Sequence, residues 1–316
     1  MNPSLSNAGG LPAGLAAFCI WGSLVIYWKQ LEAVPALEIL LYRVVFSLVV
    51  LWPLAWGSRR LDELRHALST PGLRLRLACS AALVSCNWGL YIWAVTSGHI
   101  TESSLGYYIN PLTNVLAGAL FCRERPSGLQ WLAVGIAAAG VGWSLLAYGE
   151  FPWVALTLAG TFTAYGVLRK KVAVGALAGL LAETIFLAPP ALAVLIWLHI
   201  RGEGHFLTVS LPEMALIMGS GIVTTAPLLL FTYAARHMPL STLGLIQYLS
   251  PTLALCIGVG LYHEPVSRAT LITFACIWAA LALYSWSLWQ RHRQADALRE
   301  KARTPQRRGT NEEDLP

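Results

Sequence analysis

The stretch SLGYYINPLTNV, residues 104–115, places two tyrosines, two asparagines and a proline inside a long apolar run. Proline within a helix removes one backbone hydrogen bond and crowds the preceding turn. Tyr107, Asn110 and Asn114 lie at positions i, i+3 and i+7, so a helix places them on one face. A polar stripe in so apolar a segment indicates a helix that turns this face toward a cavity or toward another helix.

The composition is that of an integral membrane protein. Of the 316 residues, 56% are apolar and 12% are charged, whereas a soluble domain carries about 25% charged residues. The apolar residues form blocks of roughly 20, the length that a helix needs to cross a hydrocarbon core of ~30 Å. We therefore predict an all-α integral membrane fold with ten transmembrane helices. The predicted segments are 11–29, 35–57, 75–95, 101–122, 128–147, 150–168, 176–198, 212–235, 239–261 and 267–289.

The distribution of Lys and Arg predicts the orientation of these helices. With both termini in the cytoplasm, 18 of the 22 basic residues fall in cytoplasmic loops or in the tail, as the positive-inside rule requires. The tail, residues 290–316, is charged and poor in apolar residues. We predict that it is solvated, partly disordered and in contact with anionic lipid headgroups. The net charge of +6 forms no basic patch with interleaved aromatic residues, so it does not indicate nucleic-acid binding.

An internal repeat divides the chain into two halves. Several residues recur at one ungapped offset of 140 (251 − 111), and we predict two five-helix repeats, residues 11–147 and 150–289. Because five is odd, the second repeat must cross the membrane in the opposite direction. Inverted repeats are typical of secondary transporters, which bind their substrates near the midplane between the repeats. The matching pairs include Tyr108 with Tyr248, Pro111 with Pro251, Gly118 with Gly258, and Glu124 with Glu264.

The polar stripe also recurs in the second half. Gln247 and Ser250 occupy the places of Tyr107 and Asn110, which favours a cavity lining, with helix-packing contacts as the alternative. On the third predicted helix, Asn87 and Tyr91 form a second polar face. Trp88 beside them either stacks on a ligand or anchors the helix at the membrane interface. Pro111 and Pro251 are predicted hinges. The predicted substrate-binding residues are Arg43, Asn87, Tyr91, Tyr107, Asn110, Asn114, Gln247 and Ser250.

Two charged residues lie within predicted spans. Arg43 is about 12 Å below the outer end of its helix at 1.5 Å per residue. We consider three roles for its guanidinium. It binds a substrate carboxylate or takes part in gating, it bonds the carbonyls freed at Pro111 and so packs helices, or it extends to the outer headgroups. Glu183 is the candidate for proton coupling, and the alternative is a carboxylate at the membrane interface.

Seven motifs together give a resemblance to a known family: FCIWG (18–22), EILLYRV (38–44), SLGYYINPL (104–112), QWLAV (130–134), LRKK (168–171), GIVTTAPLL (221–229), and STLG (241–244) followed by QYLSPTL (247–253). The two halves resemble two EamA domains of the drug/metabolite transporter superfamily, and the motifs are similar to those of its RarD branch. The resemblance covers about residues 11–289. It implies a permease of the bacterial inner membrane that exports small metabolites or drugs.

One feature departs from the family pattern. Members often have Gly-Glu where the fourth and ninth helices end, whereas this chain has Arg123-Glu124 and His263-Glu264. The glycine that commonly caps a helix C-terminus is therefore absent at both places.

The sequence favours a transporter over two other function classes. No metalloprotease, nucleotide-binding or hydrolase motif is present, so we predict neither an enzyme nor a cofactor, and the cysteines lack metal-ligand spacing. A receptor or scaffold would have no soluble domain beyond the tail. The predicted partners are the lipid bilayer and a small organic solute that is amphipathic or zwitterionic rather than strongly anionic. Substrate identity, direction, proton antiport versus facilitated diffusion, and oligomeric state remain open at this stage.

Overall fold

The computed structural model describes residues 9–97, 99–149, 151–263 and 266–309, and these residues form helices and connecting turns without a strand. Long apolar segments in a bilayer form helices, because a helix satisfies its own backbone groups where no water is present to bond them. The helices are α1 (Gly10–Lys29), α2 (Ala36–Gly57), α3 (Leu61–Ser69), α4 (Pro71–Thr96), α5 (Ile100–Phe121), α6 (Gly128–Tyr148), α7 (Trp153–Lys171), α8 (Ala176–Ile200), α9 (Leu211–His237), α10 (Leu240–Ile246), α11 (Leu249–Tyr262) and α12 (Arg268–Gly309).

Each of the ten predicted segments coincides with helical structure, and three details differ from the prediction. The short α3 follows the second predicted segment. The ninth predicted segment consists of two helices, α10 and α11, separated by Gln247 and Tyr248. The last helix continues to Gly309, into the tail, where Ala, Arg, Glu and Gln favour helices; the partial disorder of residues 290–316 stays a prediction.

Within the described part of the chain, seven helical segments are long and apolar enough to cross a membrane, namely α1, α2, α6, α8, α9, the pair α10–α11 and the part of α12 up to Gln290. The other three long helices, α4, α5 and α7, carry more polar side chains. The amides and tyrosines of the predicted stripes lie on α4 and α5, and α7 ends with Arg169, Lys170 and Lys171. The ten-span arrangement therefore stays a prediction.

Helices of the first half pack mainly against helices of the second half. Helix α1 contacts α9 and α11, α2 contacts α8 and α9, α4 contacts α7 and α8, α5 contacts α7 and α10, and α6 contacts α12. An aromatic cluster of Phe18, Phe162, Tyr165 and Phe231 lies where α1, α7 and α9 meet, with ring centroids 5.2–6.2 Å apart. The core is thus shared between the halves, and any cavity at the centre is lined by both.

The two helix ends that lack the family glycine keep a left-handed backbone. Arg123, just after α5, and His263, just after α11, both have φ of 55°. The N–H of Glu124 donates to the carbonyl of Gly118 at 3.1 Å, so the chain turns back over the end of α5. Glu264 lies outside the described residues. A side chain in this conformation costs about 1–2 kcal/mol relative to glycine, so the turns are retained at a cost in stability.

Candidate functional site

A narrow cavity lies between α2, α4, α7, α8 and α9. Its volume is about 20 Å³, enough for roughly one water molecule and too small for an organic solute. The wall combines apolar residues with hydroxyls and one carboxylate, an unusual mixture for the interior of a membrane protein. The lining residues are Val44, Ser47, Val84, Trp88, Tyr165, Leu180, Glu183, Thr184, Leu187, Thr224, Thr225 and Leu228.

Glu183 is buried in the wall of this cavity, with 1% of its surface exposed; its role in proton coupling stays a prediction. Ser80 donates to its Oε1 at 2.5 Å, and the hydroxyl of Tyr165 donates to its Oε2 at 3.3 Å. Arg169 forms an ion pair with Oε1 at 3.4 Å. The carboxylate is therefore charge-compensated and hydrogen-bonded by side chains from α4 and α7.

Arg169 is fully buried, and the sequence did not predict this role. Its guanidinium also donates to the carbonyl oxygens of Gly175 and Ala176, at 3.5 and 3.4 Å. Gly179 makes room for it, since a Cβ at that position would lie 2.2 Å from a guanidinium nitrogen. In the sequence, Arg169 is the first member of the basic run 169–171, which a charge count assigns to a cytoplasmic loop.

Arg43 lies beside the same cavity but has a different environment. Its Nε donates to Thr224 Oγ1 at 2.8 Å. The guanidinium carbon is 4.9 Å from the ring centroid of Trp28 and 5.3 Å from that of Trp88. Among the residues that the structure describes, no carboxylate forms an ion pair with it. Arg43 is thus a cation held by one hydroxyl and two aromatic faces.

The structure brings two predicted tyrosines close to Arg43. Tyr91 on α4 and Tyr107 on α5 have ring centroids 6.0 Å apart in an edge-to-face arrangement. Tyr91 follows Trp88, whose ring contacts Arg43, by one helical turn. Their side chains remain accessible, with exposed fractions of 37% and 48%. Arg43, Tyr91, Tyr107 and Trp88 therefore form one group, although they come from three helices.

Two predicted amides bond to α7. Asn87 Nδ2 donates to the carbonyl of Leu158 at 2.8 Å and to Thr161 Oγ1 at 2.9 Å. Asn110 Oδ1 accepts from Thr163 Oγ1 at 3.1 Å. In this conformation both side chains hold α7 against α4 and α5, as the packing alternative predicts. Whether they also contact a substrate stays a prediction.

The other predicted amides join the two halves. Asn114 Nδ2 donates to Gln247 Oε1 at 2.8 Å, and both side chains are buried. Ser250 lies against α1, where a Cβ on Gly22 would be 2.7 Å from its carbonyl oxygen. These residues mark the crossing of α5 and α1 with the α10–α11 segment, away from the residues that line the cavity.

The two predicted hinges differ in position. Pro111 lies inside the continuous α5. Pro251 is the third residue of α11, just after the break at residues 247 and 248. A proline in a first helical turn leaves no hydrogen bond unmade.

Comparison with known proteins identifies the fold. The profile of the EamA-like transporter family matches residues 8–146 and, a second time, residues 152–286. The chain belongs to this family. Proteins named RarD from Escherichia coli (strain K12) and Salmonella typhimurium are similar to this EamA-like protein, with 42% and 44% identity over 87% of this chain and 93% and 94% of their own lengths. An uncharacterized transporter of Pseudomonas aeruginosa is 43% identical, over 89% of this chain and 94% of its own length.

The family also agrees with the fold. A solved crystal structure with 18% sequence identity superposes on this EamA-like protein with a TM-score of 0.71, over 88% of this chain and 97% of that one; at this identity the likeness concerns the fold alone. Together with the seven helices that are able to cross a membrane, the family establishes a multi-pass membrane protein of the transporter class. The family is described as transporters, which counts against an enzyme.

Proposed function

We propose that this EamA-like protein is a secondary transporter that exports small organic metabolites or drugs across the bacterial inner membrane by alternating access. The observation that carries the proposal is the small cavity between the two halves, which has Glu183 in its wall, Arg169 paired with Glu183, and Arg43 beside it. Charged groups inside a membrane protein are costly and are usually retained for transport or signalling. Because the cavity holds about one water molecule, a solute enters only after the halves move apart.

The repeat organisation supports alternating access. The family profile matches twice, over ranges close to the two predicted repeats, residues 11–147 and 150–289. Helices from the two ranges interleave around the cavity, so a relative movement of the halves changes access to it. For the predicted topology, a reporter fused after Arg293 is expected to lie in the cytoplasm and one fused at Gly202 in the periplasm. If both reporters were found on the same side of the membrane, the inverted repeat would be contradicted.

Glu183 is the residue that we propose for proton coupling. The groups facing it are Arg169 and Tyr165 from α7 and Ser80 from α4. Protonation of Glu183 would remove its attraction for Arg169, and a buried cation without its partner is unfavourable. The pair is therefore expected to separate as the cavity opens. This links proton binding to the change of conformation.

Transport by purified protein in liposomes tests the function. Proteoliposomes are loaded with a mixture of neutral, zwitterionic, cationic and anionic metabolites, and their efflux is followed by mass spectrometry. Efflux of at least one compound that requires the protein supports the proposal, and none at any imposed pH gradient contradicts it. Glu183→Gln is expected to abolish the effect of a pH gradient. The matched control is Glu32→Gln, because Glu32 is a surface carboxylate with 73% of its side chain exposed.

A further inference from the structure

The charges around the cavity are not balanced in the same way. Glu183 has an ion-pair partner and two hydroxyl donors. Arg43 has no carboxylate partner among the described residues, and its one hydrogen bond within them uses Nε. That bond leaves the two terminal nitrogens of the guanidinium, the pair that binds a carboxylate bidentately. A lone cation in an apolar region is unfavourable, so the site is electrostatically incomplete without an anion.

The surroundings of Arg43 select what kind of anion fits. The ring centroids of Trp28 and Trp88 lie within 5.3 Å of the guanidinium carbon, and Tyr91, one helical turn after Trp88, packs edge to face against Tyr107. Trp88 also lines the cavity, together with Val84, Leu180, Leu187 and Leu228. These surfaces suit an apolar or aromatic body and offer little to a strongly hydrated one.

Thr224 and Thr225 supply polar contacts at the same place. Thr224 Oγ1 accepts from Arg43, so its own hydrogen is available to a second group. Thr225 lines the cavity with 2% of its surface exposed, and its Oγ1 has no hydrogen-bond partner among the described residues. A buried hydroxyl without a partner is rare in a native protein. Ser220 and Thr232 on α9 also have buried hydroxyls without a partner among the described residues, but of the three only Thr225 lines the cavity, where a solute would supply the missing bond once the cavity opens.

We propose that the transported solute is a small organic anion with one carboxylate and an apolar or aromatic body. The carboxylate binds the terminal nitrogens of Arg43, the hydroxyls of Thr224 and Thr225 orient it, and the body packs against Trp88. This inference rests on the transport function proposed above and narrows the solute class. A phosphate or a dicarboxylate fits less well, because such groups need several cations and Arg169 is already paired with Glu183.

Matched pairs of solutes test the charge requirement directly. Proteoliposomes of full-length protein are loaded with benzoate, phenylacetate and indole-3-acetate together with their neutral amides, and efflux is compared within each pair. Binding of the same compounds is measured by quenching of tryptophan fluorescence in detergent. We expect carboxylates to bind and move at least about tenfold better than their amides, the value of one or two charged hydrogen bonds.

Three variants test the role of Arg43. Arg43→Gln is expected to remove the preference for carboxylates, and Arg43→Lys to retain part of it, since the charge remains without the planar fork. Arg201→Gln is the matched control. Arg201 also lies over a tryptophan, 4.9 Å from the ring centroid of Trp197, but it is exposed and paired with Glu203. If Arg43→Gln does not fold, the comparison of carboxylates with amides on the unsubstituted protein still tests whether the solute must carry a carboxylate.

The outcomes separate this inference from the transport function. Equal efflux of carboxylates and amides overturns the inference and leaves transport standing. Binding of carboxylates without any efflux supports the site and counts against the transporter. If none of these compounds binds and none is exported, the inference is overturned. The broader metabolite mixture then decides whether the protein transports solutes at all. If phosphatidylglycerol stabilises the protein through Arg43 and carboxylates do not, the anion is a lipid headgroup and the inference is wrong.

Discussion

Helix α5 and the α10–α11 segment have similar sequences and different backbones. They carry Tyr108 and Tyr248, and Pro111 and Pro251, at equivalent positions of the predicted repeats. A proline ring crowds the carbonyl four residues before it, which is Tyr107 in one segment and Gln247 in the other. Only the second segment changes its hydrogen bonding there. Gln247 and Tyr248 keep right-handed helical backbone angles, but the N–H groups of Tyr248 and Ser250 donate to carbonyls three residues back instead of four, whereas α5 is α-helical throughout Ile100–Phe121.

The difference indicates that the proline permits a break without requiring one. The two segments also contact each other near these prolines. The hydroxyl of Tyr248 donates to the carbonyl of Tyr108 at 3.0 Å, so equivalent residues touch each other, as happens close to a two-fold axis. The reciprocal bond, from Tyr108 to the carbonyl of Tyr248, is not formed. Under the proposed alternating access, the opposite conformation is expected to exchange these roles, with α5 broken and α10–α11 continuous.

The strongest way to disturb this pairing is to remove the link between the end of α5 and the start of α10. The Glu124 carboxylate accepts from the backbone N–H groups of Leu240 and Ser241 at 2.6 and 2.8 Å and pairs with Lys170 at 3.3 Å. Glu124→Ala leaves these donors without an acceptor. We expect a loss of about 3 kcal/mol in the free energy of unfolding, measured by titration with SDS. An effect as small as that of the surface control Glu32→Ala would contradict this.

Close packing between the two segments is the next target. A Cβ on Gly244 of α10 would lie 2.8 Å from both the carbonyl oxygen of Pro111 and the Cβ of Asn114. Gly244→Ala is therefore expected to cost about 1–3 kcal/mol and to separate α10 from α5. The control is Gly260→Ala in α11, where nothing lies within 4 Å of the added atom. That change is expected to be neutral or to stabilise by about 0.5–1 kcal/mol, and equal losses for both variants would show that α10 is not tightly packed.

Substitutions of Tyr108 and Tyr248 test directly whether the two segments exchange their conformations. Tyr248→Phe removes a bond that this conformation makes, worth about 1 kcal/mol, and so shifts the population about fivefold toward the opposite one. Tyr108→Phe leaves the bond intact, because the carbonyl of Tyr108 is the acceptor. In hydrogen exchange followed by mass spectrometry, residues 247–250 are expected to exchange faster than residues 107–110, and Tyr248→Phe to reduce that difference. Identical effects of both variants would exclude an exchange of roles.

The smallest expected effect concerns the turns that follow the two segments. Arg123 and His263 share a φ of 55°, which glycine adopts without strain. Arg123→Gly and His263→Gly are each expected to stabilise the protein by about 0.5–1 kcal/mol. Thermal unfolding in detergent measures both. A gain at one position and a loss at the other would mean that the two turns are not equivalent.

The sequence predicted the helices of this fold and part of its site. Long apolar blocks indicate helices reliably, and the depth of Arg43 and Glu183 made them stand out. The partner of Glu183 was missed, because Arg169 belongs to a basic run that a charge count assigns to a loop. The amphipathic α3 is too short to give a span pattern. The break at Gln247 was not predictable either, since Pro111 occupies the same place in an unbroken helix and contacts between the halves accompany the difference.

The small size of the cavity has a consequence for measured affinity. Sites for organic ligands usually have volumes of about 300–1,000 Å³, whereas this cavity has about 20 Å³. Binding is therefore possible only to the fraction of molecules that are open. If that fraction is about one hundredth, the observed dissociation constant is about a hundredfold weaker than that of the open site. A substitution far from the solute, such as Tyr248→Phe, then changes the apparent Kd by changing the open fraction alone, so inhibitors that recognise the open form would gain the most from it.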